Sequence, residues 1–206
     1  MRLVLIHDTA HARSAPSTGP DCGTGKQAGF AGAQVHPCGS DAEHDEVMDI
    51  RAIGWVRSSR TEAVDDDWDN VVSTIELDST IFTPEALRGL DEFSHIEVVY
   101  LFDRVDPTEV QVGARHPRNN PAWPMVGIFA QRAKSRPNRL GLCTCALRAV
   151  RDLTLGVMGL DAIDGTPVLD LKPYMIEFGP RGPVRQPTWS HELMFGYWTQ
   201  EAARSD

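Results

Sequence analysis

Between residues 50 and 175 the hydrophobicity of this chain comes in short runs of β-branched and aromatic residues, with no helix-length period separating one run from the next. His95 to Phe102 is near-continuously apolar and predicts a central strand buried on both faces. Further strands are predicted at Ile50 to Arg57, Asn70 to Leu77, Val126 to Gln131, Leu140 to Val150, Leu153 to Met158 and Val168 to Leu171. Thr83-Pro84-Glu85-Ala86-Leu87 predicts one helical turn, with proline at its first position. Gly113 to Pro124, with three prolines and paired asparagines, predicts a long loop. Helical spacing is confined to Thr188 to Trp198, where Trp189, Leu193 and Tyr197 fall at i, i+4 and i+8. Many short strands without alternating long helices imply a mainly-β fold, a small barrel or twisted sheet with short helices and a C-terminal helical tail.

Residues 1–48 differ in texture, being rich in Gly, Ala, Ser, Thr, Pro and His with little apolar periodicity after Ile6. Such a stretch buries too little apolar surface to offset its ordering entropy, so it is expected to be a mobile extension dispensable for ligand binding. The domain boundaries that follow are an extension at 1–48, a barrel at 49–180 and a tail at 181–206. Gly23-Thr24-Gly25-Lys26 continues into Gln27 and lacks the earlier glycine, so it is no phosphate loop. Cys22, His36, Cys38 and His44 show no paired C-x2-C spacing, and no metal site is expected. The longest apolar run, Val98 to Phe102, is far short of a membrane span, and Leu3 to Ile6 is too short for a secretory core. With four cysteines in 206 residues a disulfide scaffold is not indicated, and the expected location is the cytoplasm with thiols reduced.

The net charge is −9, which makes the whole surface no general magnet for nucleic acid. Its distribution is uneven. From Thr61 to Glu109 there are fourteen acids against Arg88 and Arg104, whereas Val110 to Arg151 holds eight bases and no acid. Two readings stand: the blocks pair across neighbouring elements as a solvated face, or the basic block presents one local anion site.

Three stretches carry a family resemblance: Gly89 to Ile96 (GLDEFSHI), Gly127 to Arg132 (GIFAQR) with Ser135 to Asn138 (SRPN), and Leu160 to Tyr174 (LDAIDGTPVLDLKPY). In order and spacing they resemble the TsaA-like (YaeB/TrmO) family over roughly residues 50–175. The resemblance implies a small non-Rossmann β-barrel methyltransferase that uses S-adenosylmethionine, forms a homodimer and acts on threonylcarbamoyladenosine in tRNA, beside the anticodon. Independently, no G-x-G-x-x-G follows any predicted strand.

Family positions carried across place the cofactor at Asp103, Arg104 and Val105, at Arg132, at Leu142, and at Asp164, Gly165, Thr166, Pro167 and Val168. Arg136, Asn138 and Arg139, on the following loop, are implied to face the acceptor. The residue types suit these roles. An arginine holds a carboxylate bidentately, an aspartate suits an amino group or sulfonium, a glycine lets backbone approach a ligand, and a proline fixes the turn. Each also has a structural reading. Asp164-Gly165 is a common turn pair, Arg132 a common surface partner, and His95 is expected to be buried and satisfied by backbone. Cys143 and Cys145 share one strand face and are expected to pack rather than react. Trp123, Trp189 and Trp198 are expected to anchor a core or an interface.

The family's Pro-Arg-Gln segment has no counterpart at Ser59 to Trp68, and its Arg-Pro-Asn-Pro is Arg136-Pro137-Asn138-Arg139. Three functions stay open: an RNA methyltransferase, a methyltransferase of a small metabolite on the same cofactor site, and a module that binds S-adenosylmethionine without turnover.

Overall fold

The computed structural model describes residues 2–3 and 49–198. The expectation of a mobile extension lies outside the described residues, apart from Arg2–Leu3 (β1), which pairs with Ile50–Arg51 (β2) in a two-stranded ladder. The remaining strands are Gly54–Ser58 (β3), Val72–Leu77 (β4), His95–Leu101 (β5), Ala114–Arg115 (β6), Val126–Gly127 (β7), Leu140–Arg151 (β8), Thr154–Met158 (β9) and Pro167–Pro173 (β10). Thr188–Met194 is the one α-helix (α1) among the described residues.

Six strands close into an antiparallel barrel in the order β10-β3-β4-β9-β8-β5, the mainly-β barrel that the strand pattern implies. Closure gives every strand of the ring a neighbour on each side. Period-two alternation decides which side chains fill it. Val56 pairs with Ile75 and Ile75 with Leu155, while Ile96 faces Cys145 and Val98 faces Cys143, and all seven are buried in one cluster. Cys143 and Cys145 are thus core residues, as their i, i+2 spacing predicts. β8 is twelve residues long: Leu140 to Ala146 pair with β5, Ala146 to Arg151 pair with β9, and a bulge falls between Leu147 and Ala149.

Several expectations are corrected. β5 is not buried on both faces: Ile96, Val98 and Tyr100 point into the barrel, while Glu97 and Val99 lie half-buried on its outside. A closed barrel has one inner face, so on the outer face of β5 Val99 meets only partial cover, while Leu101 at the strand's end is buried. His95 is exposed rather than buried, and its Nδ1 lies 2.9 Å from Ser94 Oγ. The strand expected from Ile50 to Arg57 breaks at Ala52–Ile53, and that at Val126 to Gln131 gives way after Gly127 to a 3-10 turn, Ile128–Ala130. The Gly113 to Pro124 loop contains β6 and a 3-10 turn at Pro117–Asn119. The tail helix stops at Met194, and Gly196 at φ 79° turns the chain, which takes Tyr197 off the helix.

Candidate active site

The site is assembled where the end of β5, the loop after β3 and the loop before β10 meet. Beyond β5 the chain turns tightly, Asp103 N–H donating to Leu101 O at 2.9 Å and Val105 N–H to Phe102 O at 3.2 Å. This turn leaves Arg104 exposed, and its guanidinium spans two loops: Nη1 donates to Thr61 O at 2.9 Å and Nη2 to Asp164 O at 2.8 Å. Asp164 is held from the β3 side as well. Its Oδ1 accepts from Ser58 N–H at 3.0 Å, and its own N–H donates to Arg60 O at 2.8 Å.

Asp164-Gly165 is a turn, and Gly165 sits at φ 81°, a backbone conformation that disfavours every residue with a Cβ. Crowding does not demand the glycine, since an added Cβ would find only Arg104 Nη2, at 3.8 Å. The backbone donors of this turn are already engaged: Gly165 N–H bonds Val56 O at 2.8 Å and Thr166 N–H bonds Ile163 O at 3.2 Å. Thr166, Pro167 and Val168 are buried, and the Val168 side chain belongs to the barrel core. Of the residues expected on this run, Asp164 and Gly165 therefore face the site, and the last three build the wall behind it.

The second half of the candidate site lies along β8. Arg132 is exposed and donates from Nη2 to the carbonyl of Leu142, whose side chain stands 45% exposed on the outer face of the barrel. Arg139 is half-buried, and its Nη1 donates to Val105 O at 2.8 Å, tying the Pro-Asn loop to the turn after β5. Arg136 is half-buried and Asn138 exposed on the same loop. Of the eight bases between Val110 and Arg151, Arg118 alone pairs with a carboxylate among the described residues, at 2.8 Å from Asp66 and 3.6 Å from Asp65. Mutual pairing of the two blocks is realised at that one point. An open cleft of about 270 Å³ between the Pro84–Leu87 turn and Val150, Asp152 contains none of the expected site residues.

Sequence reasoning passed over two groups. Arg60 donates to Val64 O at 3.0 Å, Asp66 O at 2.5 Å and Asp67 O at 2.9 Å, and stacks on Trp68 at 3.9 Å from the ring centre. Asp161 is the other. Its carboxylate accepts from the Tyr197 hydroxyl and its carbonyl from the Tyr100 hydroxyl, while its N–H reaches Cys143 Sγ at 3.5 Å. Burial pushes the Asp161 carboxyl up to about 6, opposed by the Tyr197 hydrogen bond and the positive field of Arg132. Burial likewise raises the phenols of Tyr100 and Tyr197 above the usual range and the Cys143 thiol to about 11. That thiol is a protonated core group. The available signal for Asp161 is its place in the Leu160 to Tyr174 run; Arg60 carries none.

The family model described as the tRNA-methyltransferase O N-terminal domain matches residues 65–179. A mouse protein named tRNA (adenine(37)-N6)-methyltransferase is 37% identical over 106 residues, covering 50% of this chain and 24% of that protein. A probable S-adenosyl-L-methionine-binding protein of Methanothermobacter thermautotrophicus is 37% identical over 132 residues, 63% of this chain and 92% of that one. The crystal structure of TrmO from Pseudomonas aeruginosa superposes with a TM-score of 0.53 at 29% identity, covering 66% of this chain and 60% of that one. The chain thus spans about a quarter of the length of the mammalian relatives it matches. On the barrel and on a family match across more than half its residues, the chain belongs to the tRNA-methyltransferase O N-terminal domain family.

Proposed function

We propose that this chain is an S-adenosylmethionine-dependent methyltransferase that methylates the exocyclic nitrogen of threonylcarbamoyladenosine in tRNA, next to the anticodon. The observation that carries this reading is the Arg104 bridge, which draws together carbonyls 43 and 60 residues away and sets Asp164 beside the turn after β5. The names of the mouse and Methanothermobacter relatives support it.

The residues present fit the cofactor's chemistry. Arg132 commits Nη2 to Leu142 O, and a guanidinium has five N–H donors, so it retains a fork for a carboxylate. Asp103 and Asp164 supply negative charge for an ammonium and a sulfonium, and the face of Gly165 is open. When bound, S-adenosylmethionine supplies an electrophilic methyl group on its sulfonium. Arg132 holds the carboxylate end, Asp103 and Asp164 hold the cationic end, and Arg104 keeps the Asp164 turn in place. Arg136 and Asn138 orient the acceptor from the Pro-Asn loop, with Arg139 anchoring that loop to Val105. A carbamoyl group delocalises the nitrogen's lone pair and acidifies its N–H, so methyl transfer from sulfur to nitrogen releases that proton to solvent; positioning carries much of the rate, and no residue is assigned as catalytic base.

The protein is further proposed to act as a homodimer in the cytoplasm. Exposed Phe129, Ile176, Phe178 and Phe195 exceed what a solvated surface needs. Among the described residues no helix is long and apolar enough to cross a membrane. Light scattering at tens of micromolar tests the dimer. A second reading, binding of S-adenosylmethionine without turnover, is favoured by the name of the relative matched over 92% of its length. Mass spectrometry of tRNA nucleosides from cells with and without the protein decides between them. Loss of the methylated nucleoside on deletion supports the enzyme, and an unchanged nucleoside profile removes the tRNA reading.

A further inference from the structure

The C-terminal segment is tied to the candidate site by contacts that the cofactor reading leaves unused. Thr188–Met194 and the turn after it lie beyond residues 65–179, the span of the family match. The carbonyls of Gly196, Tyr197 and Trp198 accept in succession from the N–H groups of Asp67, Trp68 and Asp69, at 3.3, 3.1 and 2.9 Å. The Tyr197 hydroxyl donates to the Asp161 carboxylate, and the Arg118 guanidinium, ion-paired with Asp66, lies 5.9 Å from the Tyr197 ring centre. The loop clamped this way, residues 60–69, holds the site at its other end: Arg60 O accepts from Asp164 N–H and Thr61 O from Arg104.

We propose that Tyr197 is a positioning residue: by fastening the 60–69 loop to the barrel it fixes Arg104 and Asp164 in the geometry that receives the cofactor. The inference rests on the cofactor reading given above. Its physical basis is preorganisation. A ten-residue loop ordered at folding need not be ordered at binding, and residues that hold a ligand act through the shell that locks them. Tyr197 is suited to the task because it combines backbone pairing, a ring beneath a guanidinium and a hydroxyl on a buried carboxylate.

The test uses the full chain, Tyr197→Ala and Tyr197→Phe, with calorimetric titration of S-adenosylmethionine and amide hydrogen exchange. The alanine variant, which loses ring and hydroxyl, should bind about tenfold more weakly, and the phenylalanine variant, which keeps the ring, about two- to threefold more weakly. Exchange should quicken at Trp68 and Asp164 in the alanine variant and stay unchanged at Ile96 and Val157 in the barrel. In turnover, KM for the cofactor should rise with kcat held within about twofold. Undiminished binding by both variants overturns the positioning role while leaving the cofactor reading intact. Equal quickening of loop and barrel overturns it too, since the tyrosine then serves general stability. Failure of the unaltered chain to bind overturns the cofactor reading and the proposal together.

Discussion

The ring of Tyr100 occupies the space where a side chain at Gly141 would stand, across the ladder between β5 and β8 in which the two residues are register partners. The ring is anchored at its far end by the hydroxyl's hydrogen bond to Asp161 O, so it has little freedom to swing aside. Gly141→Ala should therefore overpack the barrel and destabilise it by about 1–3 kcal/mol. Urea denaturation measures this as a lower midpoint at constant m-value. An unchanged midpoint would show that the ring gives way.

The arginines of the basic block should separate by what each one touches. Arg132→Ala removes the charged partner proposed for the cofactor carboxylate, an interaction worth roughly 1.5–3 kcal/mol, so calorimetry should show affinity falling about ten- to a hundredfold. Arg136→Ala should keep cofactor affinity and impair use of the acceptor. If the acceptor is RNA, the salt dependence of its binding should flatten by about one charge. Arg139→Ala differs from both, because it leaves the Val105 carbonyl without its donor. Its signature should be a loss of stability of about 1 kcal/mol in thermal melting. Equal loss of cofactor binding in all three would mean that the whole loop closes over the cofactor.

Asp161 gives stability a pH dependence of a definite sign. Its carboxyl is raised to about 6 by burial, so between its ordinary value and about 6 the folded protein holds a proton that the unfolded chain releases. The associated stability is complete below the ordinary carboxyl range and is lost as pH rises through about 6, to the extent of up to about 3 kcal/mol. Asp161→Asn should abolish this loss. The stability difference between variant and unaltered protein should shift in the variant's favour from pH 4 to pH 7, as denaturant titrations at the two pH values would show. A difference independent of pH would place the titration elsewhere.

Gly165→Ala isolates backbone strain, since the position has room for a Cβ but sits at φ 81°. The expected cost is about 1–2 kcal/mol, with Gly165→Asn costing less because asparagine tolerates this conformation. Thermal melting of the two variants checks the order. Equal melting temperatures would mean that the turn relaxes out of the left-handed region.

The barrel is legible in the sequence because several of its strands carry their own alternation or β-branched run. Val72–Leu77 and Thr154–Met158 can be located without knowing their partners. What resisted was whatever depends on closure. The exposure of His95 and the half-covered outer face of β5 follow from which side of the sheet becomes the inside. Asp161 and Tyr197 are 36 residues apart and Arg118 and Asp66 are 52 apart, and no local pattern announces such pairs. Asp164 and Gly165 are proposed through the long Leu160 to Tyr174 run, but the run does not say that Thr166 to Val168 are buried. The end of the tail helix was written in Gly196, a stop signal outweighed by the spacing of Trp189, Leu193 and Tyr197.

The long strand β8 serves β5 with its first half and β9 with its second, the two ladders overlapping at Ala146 alone. That offset is one strand's part of the barrel's stagger, and it has a local consequence. Alongside Gly141 to Cys145 the wall has no β9 backbone to pair with. What lies there instead is the chain just past β9, joined to Cys143 through its sulfur: the thiol donates to Gly159 O at 3.4 Å and accepts from Asp161 N–H at 3.5 Å. Thiols are weak donors and weak acceptors. The stagger that closes the cylinder thus leaves a seam stitched by sulfur rather than by peptide groups, and that seam ends at the residue from which the Asp164 turn is launched.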